Sequence, residues 1–98
     1  MIKEVCWNKK AVKSLNKTYD FIYKSSPKNA TKFIDKVDAL INILQAFPDI
    51  GRRSEKYKTV RQCRVDKYRK MFYRKEGSSL IIIIFQDDRM TPSKKRQY

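Results

Sequence analysis

The stretch YRKMFYRKEGSSLIIIIFQDD, residues 68–88, decides the fold because it contains two strand-forming segments joined by a short turn. Residues 68–75 mix basic and aromatic side chains, and residues 79–87 contain the most apolar run of the chain. Between them, Glu76-Gly77-Ser78 predicts a hairpin turn. Since every position from Leu80 to Phe85 is apolar, we expect the second strand to be central or buried on both faces.

Upstream of this hairpin the sequence predicts another strand, a loop and two helices. Residues 59–66 are predicted as a strand, and residues 49–58, with Gly51 and many charges, as a loop. Residues 27–46 have apolar side chains at helical spacing, and Ser26-Pro27 before them is typical of a helix start. Pro48 ends this helix. A shorter periodic stretch after Asn8, which is a candidate N-cap, predicts a helix that ends near Ser25.

Residues 2–7 alternate as a first strand, so the predicted order is β-α-α-β-β-β. This order predicts an α+β fold in which a helical hairpin packs on one face of a mainly antiparallel sheet of about four strands. We expect residues 1–98 to form one domain, with a flexible tail from about residue 91. We expect the open face of the sheet to hold polyanions through guanidinium groups, with Arg69 and Arg89 close together.

The charge of the chain is strongly positive. There are 24 Lys and Arg against 10 Asp and Glu, a formal net charge of +14. Much of the excess lies in residues 51–76, which hold eleven basic and three acidic side chains. Self-repulsion at this density favours an anionic partner. Nucleic acid is the first expectation and an acidic protein the second, while a merely solvated basic surface is the alternative.

The composition of the chain does not favour a metal site, a cofactor site or a membrane-spanning segment. The chain has no histidine and no CxxC spacing, so we predict neither a metal site nor a cofactor. Cys6 and Cys63 are expected to be reduced core thiols, although a disulfide is possible in principle. No signal peptide is visible, and the six-residue apolar run is far too short to span a membrane. We therefore expect a cytoplasmic protein.

Five features occur together in an order that resembles the RelE/ParE superfamily of toxins from type II toxin–antitoxin modules. They are Trp7 at the end of a strand, Ser26-Pro27 opening a helix, and the motifs FPDIGR, YRKMFY and DDRMTP. The resemblance implies an acidic or amphipathic antitoxin as partner. It also implies one of two targets: RelE-like members cut mRNA on the ribosome, and ParE-like members poison DNA gyrase. The fold is shared and does not choose between them.

Metal-free RNA cleavage needs a group that stabilises charge on phosphate and groups that move protons. Arginine suits the first role because its fork matches two phosphate oxygens. Arg69 and Arg89 match functional arginines of the ribosome-dependent members. Where those members have two lysines, this chain has Val60 and Gln62, and Lys58, Arg61 or Arg64 would substitute. The predicted catalytic set is Arg69, Arg89, Arg61 and Arg64, and the predicted RNA-binding set is Arg52, Arg53, Lys56, Lys58, Lys67 and Tyr68.

Three departures from the RNA-cleaving pattern keep other functions open. No histidine is present, and Tyr98 is the only tyrosine near the C-terminus. Tyr68 and Tyr73 are alternative proton donors, although strand aromatics more often pack. In addition, Arg69 could simply pair with an acid such as Asp66, and Arg89 with Asp87 or Asp88. An mRNA endonuclease is the leading prediction; the alternatives are a gyrase poison and a non-toxic nucleic-acid-binding module.

Overall fold

Two helices pack on one face of a five-stranded mixed sheet in a computed structural model, which describes residues 2–89. The elements in chain order are β1 (Glu4–Trp7), α1 (Lys9–Ser25), α2 (Pro27–Ala46), β2 (Arg52–Arg53), β3 (Arg61–Arg64), β4 (Arg69–Glu76) and β5 (Ser79–Asp87). The strands lie in the order β1-β5-β4-β3-β2. Only β1 and β5 run parallel among them, and the other pairs are antiparallel.

The predicted α+β architecture and element order are confirmed, with one correction to the number of strands. The sheet has five strands because the predicted loop contains β2, whose two arginines pair with Gln62 and Arg61 of β3. Two residues are too few to show an alternating pattern, so β2 exists only through its pairing partner. The predicted strand at residues 59–66 is shorter and spans Arg61–Arg64. The predicted tail from residue 91 lies outside the described residues.

The junction between the helices forms as its sequence predicts. Ser26 has an extended backbone, and its hydroxyl accepts a hydrogen bond from the Asn29 N–H at 3.1 Å. Pro27 occupies the first helical position, where its missing N–H does no harm. Asn8 caps α1 by position alone, since its side chain makes no capping hydrogen bond. The hairpin is therefore held at one well-defined corner, and this corner borders the site described below.

The main core lies between the helices and the sheet, and β5 is central to it as predicted. Apolar side chains of both helices meet those of β4 and β5, and the largest fully buried ones include Tyr73, Leu44, Met71 and Leu80. A smaller cluster of Val60, Phe72 and Ile83 lies apart from the main core. Neither helix is long and apolar enough to cross a membrane among the residues described.

A β-bulge in the central hairpin changes which side chains face the helices. Phe72 lies opposite Ile84 and Tyr73 opposite Ile82, so Ile83 is an extra residue on β5. Strict alternation after Ile82 would send Ile84 and Gln86 toward the helices. The bulge instead turns Phe85 and Asp87 to that side, and Phe85 joins the main core. This shift of one residue brings the Asp87 carboxylate next to Arg69.

Candidate functional site

A pocket of about 430 Å³ lies where the helical hairpin meets the turn between β3 and β4. Helix α2 contributes Lys32 and Lys36, the turn contributes Lys67 and Tyr68, and Arg89 follows β5. Arg69 also lines the pocket, so the structure does bring the two predicted arginines together. We call this the hairpin pocket. It lies beside the helices and not on the open face of the sheet.

The prediction that Arg69 belongs to an open cationic face is wrong. Its side chain shares a strand face with Met71 and Tyr73, and that face packs against the helices. Arg69 is only 6 % exposed. Its Nε donates to Asp87 at 2.7 Å and its Nη1 donates to Asp66 at 2.8 Å, while the guanidinium lies 5.7 Å from the centre of the Phe33 ring. The arginine is a buried ion-pair partner at the pocket floor.

Both carboxylates that hold Arg69 also hold backbone next to the pocket. Asp66 Oδ1 accepts hydrogen bonds from the N–H groups of Tyr68 and Arg69, and Asp87 Oδ1 accepts one from the N–H of Arg89. Burial by itself would raise the pKa of Asp66, but these hydrogen bonds and the Arg69 charge outweigh it and lower that pKa. We call Arg69, Asp66 and Asp87 the buried triad; its formal charges sum to −1, so it offers no free cation.

The cations that remain for a ligand surround Tyr68. The Arg89 guanidinium stacks on the Tyr68 ring at 4.0 Å, and the Lys67 Nζ lies 5.6 Å from the same ring centre. Within residues 2–89 none of the ion pairs involves Lys32, Lys36 or Lys67. An anionic group in the hairpin pocket would therefore meet these three lysines and the guanidinium of Arg89.

The other two predicted catalytic arginines, Arg61 and Arg64, donate hydrogen bonds to backbone carbonyls outside the hairpin pocket. The Nη1 of Arg61 donates to the carbonyl oxygens of Asp49 and Gly51, at 3.1 and 2.8 Å. The Nη1 of Arg64 donates to the Lys67 carbonyl at 3.1 Å and to the Asp88 carboxylate at 3.4 Å. Neither arginine lines the hairpin pocket. Their catalytic role stays a prediction, and the structure gives each a local structural role.

The predicted RNA-binding residues fall on two separate surfaces. Lys67 and Tyr68 belong to the hairpin pocket, whereas Arg52 and Arg53 form β2, an edge strand of the sheet, and do not line that pocket. Lys56 and Lys58 follow in the exposed segment between β2 and β3, where the Lys56 Nζ lies 5.7 Å from the Tyr57 ring centre. The predicted RNA-binding residues therefore do not form one continuous cationic surface.

Tyr73 is buried and holds the turn before β2. Its hydroxyl donates to the Pro48 carbonyl at 2.8 Å and accepts from the Gly51 N–H at 3.0 Å. Burial is the main reason that the pKa of Tyr73 rises to about 12, and Cys63 adds to the rise, while the Gly51 N–H and Arg61 oppose it. The Tyr73 hydroxyl is already engaged in two hydrogen bonds with the turn, and Tyr73 does not line the hairpin pocket. It is therefore not placed to donate a proton to a ligand there.

Sequence reasoning missed the contribution of α2 to the pocket. Lys32 and Lys36 are four residues apart, which places them on one face of a helix. Nothing in the sequence indicates that this face lines the same pocket as Tyr68, because the pocket joins segments more than thirty residues apart. No group of three or more His, Cys, Asp or Glu side chains able to hold a metal ion occurs in the described part of the chain.

A helical hairpin on one face of a mixed sheet, with basic groups around it, defines the class of small α+β toxins related to RelE and ParE. The chain belongs to the family described as the ParE toxin of type II toxin–antitoxin systems, parDE, whose model matches residues 5–86. Membership of this family implies an antitoxin partner.

Two solved structures have the same fold. The chromosomal ParDE toxin–antitoxin system from P. aeruginosa matches with a TM-score of 0.72 and 24% identity, over 89% of this chain and 96% of that one. A YoeB/ParE toxin from Agrobacterium tumefaciens matches with a TM-score of 0.64 and 15% identity, over 87% of this chain and 98% of that one. No curated protein sequence matches the chain.

Proposed function

We propose that this toxin disables its target by binding without cutting RNA, and that the target is DNA gyrase, which the resemblance to ParE-like toxins implies. The observation that supports this proposal is the neutralisation of Arg69 by two carboxylates at 2.7 and 2.8 Å. An arginine that stabilises phosphate during cleavage must direct two guanidinium N–H groups toward the phosphate oxygens. Arg69 instead donates from both its Nε and its Nη1 to the carboxylates of Asp87 and Asp66.

Freeing Arg69 would be costly. Breaking a buried ion pair by removing one partner costs about 3–5 kcal/mol, because the other charge is left uncompensated. The same type of penalty applies when Arg69 leaves Asp66 and Asp87 to reach a phosphate. The other cations of the hairpin pocket bind anions without this penalty, so the pocket is better suited to holding an anionic partner than to catalysis.

Among the described residues of the pocket, the candidates for proton transfer are Tyr68, three lysines and Asp66. General acid–base catalysis works best with a pKa near the operating pH and contributes about 10²–10⁴-fold. The chain has no histidine, and the lowered pKa of Asp66 makes this carboxylate a weak base. The described site therefore fits the binding of an anionic partner better than it fits RNA cleavage.

The second candidate function is a ribosome-dependent mRNA endonuclease. It is favoured by the convergence of four residues on one pocket, since the sequence predicts Arg69 and Arg89 for catalysis and Lys67 and Tyr68 for RNA binding. In this mechanism Arg89, stacked on Tyr68, would contact the phosphate, and a ribosomal or substrate group would have to supply proton transfer.

Induced expression in a bacterial host separates the two mechanisms. We expect growth arrest with a DNA-damage response, intact mRNA and continued translation, together with inhibition of purified gyrase supercoiling by the purified toxin. Rapid loss of translation with cut mRNA would overturn the gyrase proposal and support the nuclease. Normal growth together with active gyrase would contradict both mechanisms and support the third reading, a non-toxic nucleic-acid-binding module. Lys10→Ala, on the exposed face of α1, serves as a folded control for pocket variants such as Arg89→Ala.

A further inference from the structure

The hairpin pocket holds more positive charge than its carboxylates balance. Its lining includes five cationic side chains and one carboxylate, which are Lys32, Lys36, Lys67, Arg69, Arg89 and Asp66. Asp87 does not line the pocket but pairs with Arg69. Five cations against the two carboxylates of the buried triad leave a formal balance of +3. A concave site of about 430 Å³ has the size that suits a small ligand.

The α2 side of the pocket is suited to phosphate. Lys32 and Lys36 are both exposed and lie one helical turn apart, and neither forms an ion pair with the residues that the structure describes. Ser26 and Asn29, at the N-terminus of the same helix, also line the pocket, and the first turn of α2 contains no acidic residue. The partial positive charge of this helix end adds to the attraction that the lysines exert on an anion.

An exposed aromatic ring lines the same pocket. Phe21 is 40% exposed, although phenylalanine is among the residues most often buried. Within residues 2–89 its ring stacks on no other aromatic ring. A nucleobase can stack on such a ring whatever its identity, because every base has a π-face. The pocket therefore offers an aromatic contact in addition to its cations.

The wall opposite in sequence, around Tyr68, is held in place before any ligand binds. The Tyr68 N–H donates to the Asp66 carboxylate, and its carbonyl accepts from the Asp88 N–H, both at 2.9 Å. The Arg89 N–H donates to the Asp87 carboxylate at 2.8 Å, and the Arg89 guanidinium lies 4.0 Å from the centre of the Tyr68 ring. A backbone that is already fixed lowers the ordering cost of binding.

We propose that the hairpin pocket binds a nucleoside diphosphate, with its phosphoryl groups among the lysines and Arg89 and its base on the ring of Phe21. Such a ligand carries about −3 at neutral pH, which matches the formal balance of +3. Inorganic phosphate would match less of this charge and would leave Phe21 without a contact. The proposal rests on the proposed function, which assigns this pocket to holding an anionic partner, and it holds whether the toxin's target is gyrase or mRNA.

Titration calorimetry of the purified toxin with ADP, at low salt, tests the proposal. We expect a one-to-one complex with a Kd of about 10–100 µM, the range that a ligand of this size reaches in a pocket open to water. Adenosine and inorganic phosphate should each bind at least about tenfold more weakly, because each makes only one of the two kinds of contact. Added salt should weaken ADP binding, since the phosphoryl contacts are electrostatic.

A pair of lysine variants tests the phosphate contacts. Lys32→Ala with Lys36→Ala should weaken ADP binding by about tenfold or more, because both substitutions remove a cation that lines the pocket. The matched control, Lys10→Ala with Lys13→Ala, removes the same charge from exposed positions of α1 outside the pocket. It should change the Kd by less than about twofold at moderate salt, where distant charges are screened.

A pair of aromatic variants tests the contact with the base. Phe21→Ala should weaken ADP binding by about fivefold or more and leave the binding of inorganic phosphate unchanged. Tyr23→Ala is the control, since Tyr23 is an exposed aromatic residue of the same helix that does not line the pocket. Equal effects of the two aromatic variants on ADP binding would contradict the placement of the base on Phe21.

Three further results would overturn the nucleotide site. ADP that fails to bind at millimolar concentration removes it outright, in a measurement that uses the unchanged protein. Inorganic phosphate that binds as tightly as ADP would mean an adventitious ion only. A single-stranded DNA oligonucleotide that binds at least about tenfold more tightly than ADP and displaces it would make the pocket a nucleic-acid site.

A parallel assay of gyrase supercoiling separates this site from the proposed target. ADP bound by a toxin that leaves gyrase active would support the nucleotide site and overturn the gyrase proposal. Inhibited gyrase together with no binding of ADP would overturn the nucleotide site alone.

Discussion

Replacing Arg69 by methionine should destabilise this protein more than any surface change does. The side chains of Arg69, Asp66 and Asp87 are 7%, 14% and 1% exposed, and the two ion pairs are 2.8 and 2.7 Å long. Methionine keeps much of the volume and removes the charge. The carboxylate of Asp87 is then left buried without its cation, close to the second carboxylate of the triad.

The expected loss of unfolding free energy is about 3–5 kcal/mol, the usual cost of removing one partner of a buried ion pair. A small domain has about 5–15 kcal/mol in total, so a third or more of its stability is at risk. Asp87→Asn should cost less, about 1–3 kcal/mol, because Arg69 keeps Asp66 and only one hydrogen-bonded charge is lost. The double substitution Arg69→Met with Asp87→Asn should cost less than the sum of the two single ones.

Urea unfolding followed by circular dichroism measures these differences. The pH dependence adds a second readout, since the folded protein lowers the pKa of Asp66. A lowered pKa means that the stabilisation is present above the ordinary value of about 3.9 and is lost as pH falls through the folded value. Arg69→Met should weaken this acid dependence. A loss below about 0.5 kcal/mol for Arg69→Met, the range of ordinary surface substitutions, would refute the structural role of the triad.

Three other changes test separate parts of the fold. Gly51→Ala should cost about 2 kcal/mol through its collision with the Tyr73 hydroxyl, and Tyr73→Phe in the same chain should restore part of it in urea unfolding. Spectrophotometric titration should show a tyrosine that ionises near pH 12 and vanishes in Tyr73→Phe; because its folded pKa is raised, stability should fall as pH rises from about 10 to 12. Ser26→Ala should lower thermal stability by about 1 kcal/mol, whereas Asn8→Ala, which loses no capping hydrogen bond, should lower it much less.

The buried triad also changes how function is to be tested. Charge reversal at Arg69 would place three acidic side chains together in the interior, so a loss of toxicity in that variant would report misfolding as readily as a lost contact. Arg89 and Lys67 are better positions for this purpose, since both are exposed and neither belongs to the triad. Substitutions there change the charge of the hairpin pocket and leave the core intact.

Local signals were sufficient for every helix and strand of this protein except β2. Ser26-Pro27 marks the start of α2, and the glycine at position 77 has the positive φ of 61° that its turn needs. The run from Leu80 to Phe85 lies in an interior strand, between β1 and β4. These features depend on neighbouring residues, so the sequence displays them directly. The same reasoning missed β2, because a two-residue strand has no pattern of its own.

By itself, the sequence determined the α+β class, the order of the elements, the basic character and the family. Only the tertiary structure decided which charged side chains form buried ion pairs and which ones line a pocket. It turned Arg69 from an expected ligand contact into a buried ion-pair partner, and a single bulge at Ile83 brought Asp87 to it. It also placed Lys32, Lys36 and Tyr68 around one pocket. The physical reason is that electrostatic energy depends on distance and burial, and both are fixed by contacts between segments far apart in the chain.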